Sequence, residues 1–261
     1  MKKLRFQRRY IGIPYYLFLI MFVILPILII CVYAFTDKDW NFTLENFGMI
    51  FTRAEAMTAV VKSLGVGLVA TAFCLLIGYP VAYFLSKLKG KRGLTLMTLF
   101  ILPMWMNFLL RTLAMRGIFD YLRLTPGYFT TMFGMIYNFL PFMILPIYNQ
   151  LCKIDPSLLE ASKDLGANDR RVFFKTVIPL SMPGVMSGIT MVFMPCISTF
   201  VISDMLSRNT IQLFGNLINQ AYKMDQWNYA ASLSTLMLVV IFISTVVQGK
   251  LSKGEEQNAL W

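Results

Sequence analysis

Asp204 is the acidic side chain on which a chemical reading of this sequence turns. Of 13 acidic residues it is the one that falls inside a long apolar stretch, where a charge is expensive and usually functional. On an ideal helix Phe200 and Ile197 share its face, with Phe193 below. A carboxylate beside an aromatic face can hold an amine cation by ion pairing and cation–π attraction. The same acid could instead be solvated by lipid headgroups or paired with Arg111 or Arg208. Trp105, Asn107 and Tyr137, with neighbouring Asn138, are further candidates for lining a solute pathway, because polar side chains avoid lipid. A Trp at this kind of position can equally be an interfacial anchor. Catalytic groupings are missing: there is no His, no GxSxG, no GxxxxGK[ST] phosphate loop and no cluster of acids within the apolar stretches. The expectation is a chain that is not an enzyme and that binds neither nucleotide nor metal itself.

The elements that must position these groups are membrane helices. The chain has 261 residues, 57% of them hydrophobic, and a mean hydropathy of +0.63; ordinary globular domains sit near ~45–50% apolar. A hydrocarbon core of ~30 Å needs about 20 apolar residues as helix. Six stretches qualify, near 12–35, 63–85, 94–113, 129–151, 184–206 and 231–249, giving an all-α membrane protein with one transmembrane domain over 1–261. Pro26, Pro80, Pro103, Pro141, Pro146 and Pro195 interrupt them, which a bundle with an internal path tolerates. The first stretch follows Lys2, Lys3, Arg5, Arg8 and Arg9 but is too long for a signal-peptide core, so it reads as a retained span. Cys31, Cys74, Cys152 and Cys196 form no CxxC pair and are expected to be buried small hydrophobes.

Cation placement orients the spans. With the N-terminus inside, the inside segments hold those five cations, Lys87, Lys89, Lys91, Arg92, Lys153, Lys163, Arg170, Arg171, Lys175, Lys250 and Lys253, which is 16 of the 24. Both termini are therefore expected in the cytoplasm. The same bias accounts for the net charge of +11 without nucleic acid. No inverted repeat is visible, which weakens a self-sufficient carrier or channel as the alternative.

Residues 152–183, CKIDPSLLEASKDLGANDRRVFFKTVIPLSMP, form a polar island between spans. Asp155 suits an N-cap and Pro156 the first helical position. The first helix should run to about Leu165, with Gly166 as a left-handed terminator. Asn168 or Asp169 should start a second helix and Pro179 end it. A polar helical hairpin in a membrane protein is most simply a docking surface for a cytoplasmic partner.

That island resembles the EAA loop of ABC-transporter permeases, in which Glu-Ala-Ala, three residues and Gly precede Ile-x-Leu-Pro. Glu160-Ala161-Ser162, Gly166 and Thr176-Val177-Ile178-Pro179 stand in those places; Ser162, Thr176 and Ile178 are the departures. The stretches ILPMWMNFLLRTLAMRGIF, LPFMILPIY, LLEASKDLGA, MVFMPCISTFVISDML and NLINQAYKMDQWNYAAS are similar to the PotB-type permeases of spermidine/putrescine importers. The resemblance implies a six-helix type I importer permease in the bacterial cytoplasmic membrane. It also implies a second permease (PotC-like), a dimer of ATP-binding subunits (PotA-like) that holds ATP and Mg2+, and an extracytoplasmic polyamine-binding protein (PotD-like). Permeases for other small solutes share the fold and the loop. The implied ATPase-docking residues are Glu160, Ala161, Ser162, Asp164, Leu165, Gly166, Phe173, Phe174 and Pro179. Glu160 would anchor the hairpin, Ala161 and Leu165 would pack, and Phe173 and Phe174 would face the ATPase groove or the membrane helices. The implied substrate pathway takes Asp204, Phe200, Asn107, Trp105 and Tyr137.

Overall fold

The computed structural model describes residues 12–88 and 92–258, and these are almost entirely helical. Among them the one extended pairing is an isolated antiparallel bridge between Thr36 and Phe42. Lys2, Lys3, Arg5, Arg8, Arg9, Lys89 and Lys91, used above to orient the spans, lie outside the described residues.

The first apolar stretch is the helix α1, Pro14–Ala34, and it contains a π turn at Ile20–Ile24. Two helices follow, α2 (Glu45–Thr52) and α3 (Ala54–Lys87); α3 begins well before the expected residue 63 and runs unbroken through Pro80. The stretch expected as one span at 94–113 is instead two helices. The first, α4 (Arg92–Ile101), continues into the 3-10 turn Leu102–Trp105, and α5 (Phe108–Tyr121) leaves it at 91°. Pro103 tightens the end of α4, Met106 is extended (ψ 148°), and Asn107 restarts the chain as an N-cap.

The fourth stretch is α6, Tyr128–Leu151. The polar island supplies α7 (Pro156–Asp164), and its second helix is not ended by Pro179. That helix runs on as α8, Asp169–Ser198, so hairpin and membrane span are one rod. The reason is a π turn at Phe173–Val177, in which the Ile178 N–H reaches back five residues to the Phe173 carbonyl. The wider turn absorbs the donor that Pro179 lacks; Pro26 follows the π turn of α1 in the same way. The fifth stretch, expected to reach 206 as one helix, breaks at Thr199, which is extended (ψ 134°), and restarts as α9, Val201–Ser207. Two helices complete the chain, α10 (Phe214–Lys223) and α11 (Trp227–Asn258), the latter apolar over Trp227–Gly249.

The chain divides into two compact units. One comprises the chain up to Met57 with Ile218–Val239. There the carbonyls at the end of α1 and just beyond it, which have no partner within the helix, are taken up by amides from elsewhere in the unit. The Asn46 amide donates to the Ala34 and Thr36 carbonyls (3.4 and 3.0 Å), and the Asn228 amide donates to those of Tyr33 and Thr36 (3.2 and 2.7 Å). The Arg53 guanidinium lies 4.7 Å from the centre of the Tyr229 ring.

The other unit comprises Thr58–Leu217 with the chain from Val240 onward, and all the candidate site residues lie in it. Its core centres on α6 and α8, with Met143, Ile144 and Ile147 of the one and Val185, Val192 and Cys196 of the other in a single buried cluster. Without a hydrophobic driving force inside lipid, such helices associate through close packing and interhelical hydrogen bonds. Gly184 and Gly188, spaced as GxxxG, bring α8 onto the backbone of α6 at Pro146 and Met143. Gln150 adds a 3.2 Å bond to the Leu180 carbonyl, and the Tyr79 hydroxyl of α3 sits 2.9 Å from Ser181 Oγ. Cys74 and Cys196 are buried as expected, whereas Cys152, at the end of α6, is exposed.

Candidate functional site

Local side chains build the hairpin. Asp155 accepts from the Ser157 N–H at 2.9 Å, and that bond holds its carboxyl below the ordinary carboxylate range. Pro156 opens α7. At its far end Gly166 has φ +81°, its N–H donates to the Lys163 carbonyl (2.8 Å), and the Ala167 N–H donates to the Ser162 carbonyl (3.2 Å). Those two bonds are a Schellman closure. Asn168 is the residue that starts the second helix, its Oδ1 accepting from the Arg171 N–H at 2.9 Å. Lys163 and Asp169 pair across the turn at 2.8 Å. Both are exposed, so the pair fixes geometry more than it adds stability.

The hairpin has an inner and an outer surface. Ser162 Oγ lies 3.1 Å from Thr176 Oγ1 and donates to the Leu158 carbonyl, which ties α7 to the π turn. Phe173 points inward, its ring edge-on to Tyr83 (4.9 Å) and Tyr79 (6.1 Å) of α3. Phe174 points outward, 64% exposed. Glu160, Ala161, Asp164 and Pro179 are also exposed, and Leu165 is 89% exposed. Ala161 and Leu165, expected to pack, are therefore left open to solvent among the described residues. Leu165 at the tip of a polar hairpin and Phe174 on its second helix are large apolar side chains left exposed.

A second cluster forms at the end of α8 remote from the hairpin, roughly 30 Å from Ile178 at 1.5 Å per residue. The break at Thr199 takes Asp204 off the face expected for it. Phe193 and Ile197 stay on α8 and close over Gly67, whereas Asp204 sits on α9 one turn from Phe200. Asp204 accepts a hydrogen bond from the Asn216 amide. Asn216 also reaches the Phe200 carbonyl at 3.4 Å and accepts from the Leu213 N–H at 3.0 Å, so it joins the start of α10 to the break. Neither suggested arginine pairs with Asp204. Arg208 bonds Asp120 at 2.8 Å, and Arg111 turns to Asn138. Asn216 was not anticipated, because its link to Asp204 depends on the break.

The remaining three candidates lie around the bend between α4 and α5. Asn107 Oδ1 accepts from the Leu109 and Leu110 N–H groups at 2.9 and 3.5 Å, and Trp105 is 88% exposed beside it. Tyr137 faces the Arg111 guanidinium, 5.7 Å from its ring centre. Asn107→Ala is expected to remove about 1 kcal/mol of cap, lowering Tm by about 2–4 °C with transport retained. A thermal melt beside an uptake assay checks this; lost uptake at unchanged Tm would give Asn107 a pathway role instead.

The exposed hairpin opens α8, and the Asp204 cluster lies just past the break that ends it. The model of one family, the binding-protein-dependent transport system inner membrane component, matches residues 5–255. The chain belongs to this family. Among its relatives is the spermidine/putrescine transport system permease protein PotB of Haemophilus influenzae, 34% identical over 267 residues, covering 92% of this chain and 93% of that one. The PotB of Escherichia coli is 32% identical over 259 residues, covering 90% and 94%. Among solved structures, a bacterial ABC transporter involved in import of the acidic polysaccharide alginate superposes with a TM-score of 0.75 at 12% identity, covering 94% of each chain. The MetNI methionine ABC transporter superposes with a TM-score of 0.62 at 16% identity, covering 76% and 95%. These likenesses show an ABC importer permease fold in a multi-pass membrane protein.

Proposed function

We propose that the chain is the permease subunit of an ABC importer that carries polyamines, spermidine or putrescine, across the bacterial cytoplasmic membrane. Asp204 carries the cargo assignment. It is an acid on the short helix that follows a membrane span, held by an amide, and among the described residues no cation pairs with it. An amine is the ligand that such a carboxylate lacks, and the Phe200 ring one turn away adds a cation–π face. The sequence similarity to PotB permeases supports the same cargo.

In this reading both termini and the hairpin are cytoplasmic. The second permease is PotC-like, the ATP-binding dimer PotA-like, and the extracytoplasmic donor PotD-like. ATP and Mg2+ sit on the ATPase, and this chain contributes no catalytic group. The outer surface of the hairpin, with Glu160, Ala161, Asp164, Leu165 and Phe174, docks on the ATPase. Ser162, Gly166, Phe173 and Pro179 hold its shape. Closure of the ATPase dimer then moves the hairpin and, through α8, the Asp204 cluster.

The test is Asp204→Asn in the reconstituted assembly. The amide keeps the shape and can still accept from Asn216, but it loses the charge. Spermidine uptake should fall at least tenfold while the ATPase still co-purifies. Uptake at the wild-type rate would remove Asp204 from the pathway. Equal uptake of an uncharged solute by the wild-type assembly would point to another cargo.

A further inference from the structure

Among the described residues Arg111 is a buried charge without a counterion. The residue is 8% exposed; its Nε donates to Asn138 Oδ1 at 2.8 Å and its Nη1 to the Pro103 carbonyl at 3.0 Å. Asn138 is fully buried and is itself held by the Gly134 carbonyl at 2.8 Å. Among the described residues three ion pairs form, and none includes Arg111. A guanidinium carries five N–H donors, so donors remain beyond these two bonds. A desolvated cation held by neutral groups alone is unfavourable in a membrane helix.

The same guanidinium borders a cavity of about 360 Å³. Leu96, Leu99 and Phe100 of α4, Pro103 of the turn after it, and Tyr137, Leu140 and Pro141 of α6 form the rest of its wall. Leu96, Leu99, Phe100 and Tyr137 are exposed at its mouth, so it opens outward from the chain through an apolar rim. A polyamine is excluded as the occupant, because Arg111 would repel it.

We propose that a carboxylate carried by a membrane helix of the second permease subunit enters this cavity and pairs with Arg111, fixing the register of the two permeases. The inference rests on the importer reading above. Charge complementarity selects an acid, and depth selects its carrier. Asn138 stands ten residues into the 24-residue α6, about 15 Å from one end and about 20 Å from the other. Lipid phosphates lie at the helix ends, whereas a side chain on an adjacent span reaches this level. The rim of leucines and Phe100 would exclude water around the pair.

The experiment uses the full assembly in membranes, with a benzophenone amino acid replacing Leu99 and Arg111 left intact. Irradiation should yield an adduct with the second permease. An adduct with lipid alone, in an assembly that still contains both permeases, overturns the proposal and leaves the importer reading standing. Separately, Arg111→Gln should reduce retention of the second permease at least tenfold, and Arg111→Lys should restore part of it. Arg111→Glu should be rescued by a lysine replacing one intramembrane acid of that subunit. Wild-type retention by Arg111→Gln overturns the pairing. If no second permease accompanies the wild-type chain, the heterodimer reading fails and the proposal with it.

Discussion

Gly184→Val is expected to leave less than a tenth of the wild-type yield of monodisperse, folded protein. A Cβ at this position would stand 2.6 Å from Gln150 Cβ, 2.8 Å from the Pro146 carbonyl oxygen and 3.2 Å from Ile147 Cα. Two of those three atoms are backbone, so no rotamer change makes room. The valine must push α8 off α6, and this contact is the core of its unit. Overpacking of a close helix crossing is one of the few single changes that exceed the usual mutational range. One turn on, Gly188→Ala should cost much less. Its nearest neighbour at 2.7 Å is Met143 Sδ, part of a flexible side chain, and the next contact is 3.2 Å. Size-exclusion profiles of the two variants, expressed side by side, check the order; a worse loss for Gly188→Ala would mean that α6 and α8 are packed differently.

Gly166→Val is expected to cut ATP-dependent uptake at least tenfold without changing membrane insertion. Here there is no clash, since a Cβ at Gly166 meets nothing within 4 Å. The penalty is conformational. At φ +81° an L residue is strained by about 1–2 kcal/mol, and a β-branched side chain is among the least tolerant there. The Schellman bonds from Gly166 and Ala167 would open, and with them the Lys163–Asp169 register of the hairpin. Gly166→Asn separates conformation from volume, because asparagine visits the left-handed region readily. It should retain more uptake than the valine variant. Full uptake with valine would mean that the turn does not govern coupling.

The hairpin was legible in the sequence because its determinants are local. Asp155, Pro156, Gly166 and Asn168 each act within four residues of their own position. The prolines of the apolar stretches were not readable in that way. Pro80, Pro141 and Pro146 sit inside unbroken helices, Pro103 and Pro195 lie next to breaks, and Pro26 and Pro179 follow π turns. Whether a proline bends a helix depends on which neighbour takes the freed carbonyl, and that is set by packing. Asp204 shows the cost. An ideal-helix projection placed it above Phe193 and Ile197, and one extended residue, Thr199, removed it from them. The Gly184–Gly188 spacing was on view throughout as a close-contact signature for apolar helices, yet nothing local says which helix it meets.

The helix α8, Asp169–Ser198, spans about 45 Å with no loop between the hairpin and the membrane segment. A loop at that point would dissipate a push as disorder; a continuous helix passes it on. If the hairpin docks on an ATPase as proposed, torque applied at Asp169 would arrive at Ser198, where the extended Thr199 separates the shaft from the short helix that holds Asp204.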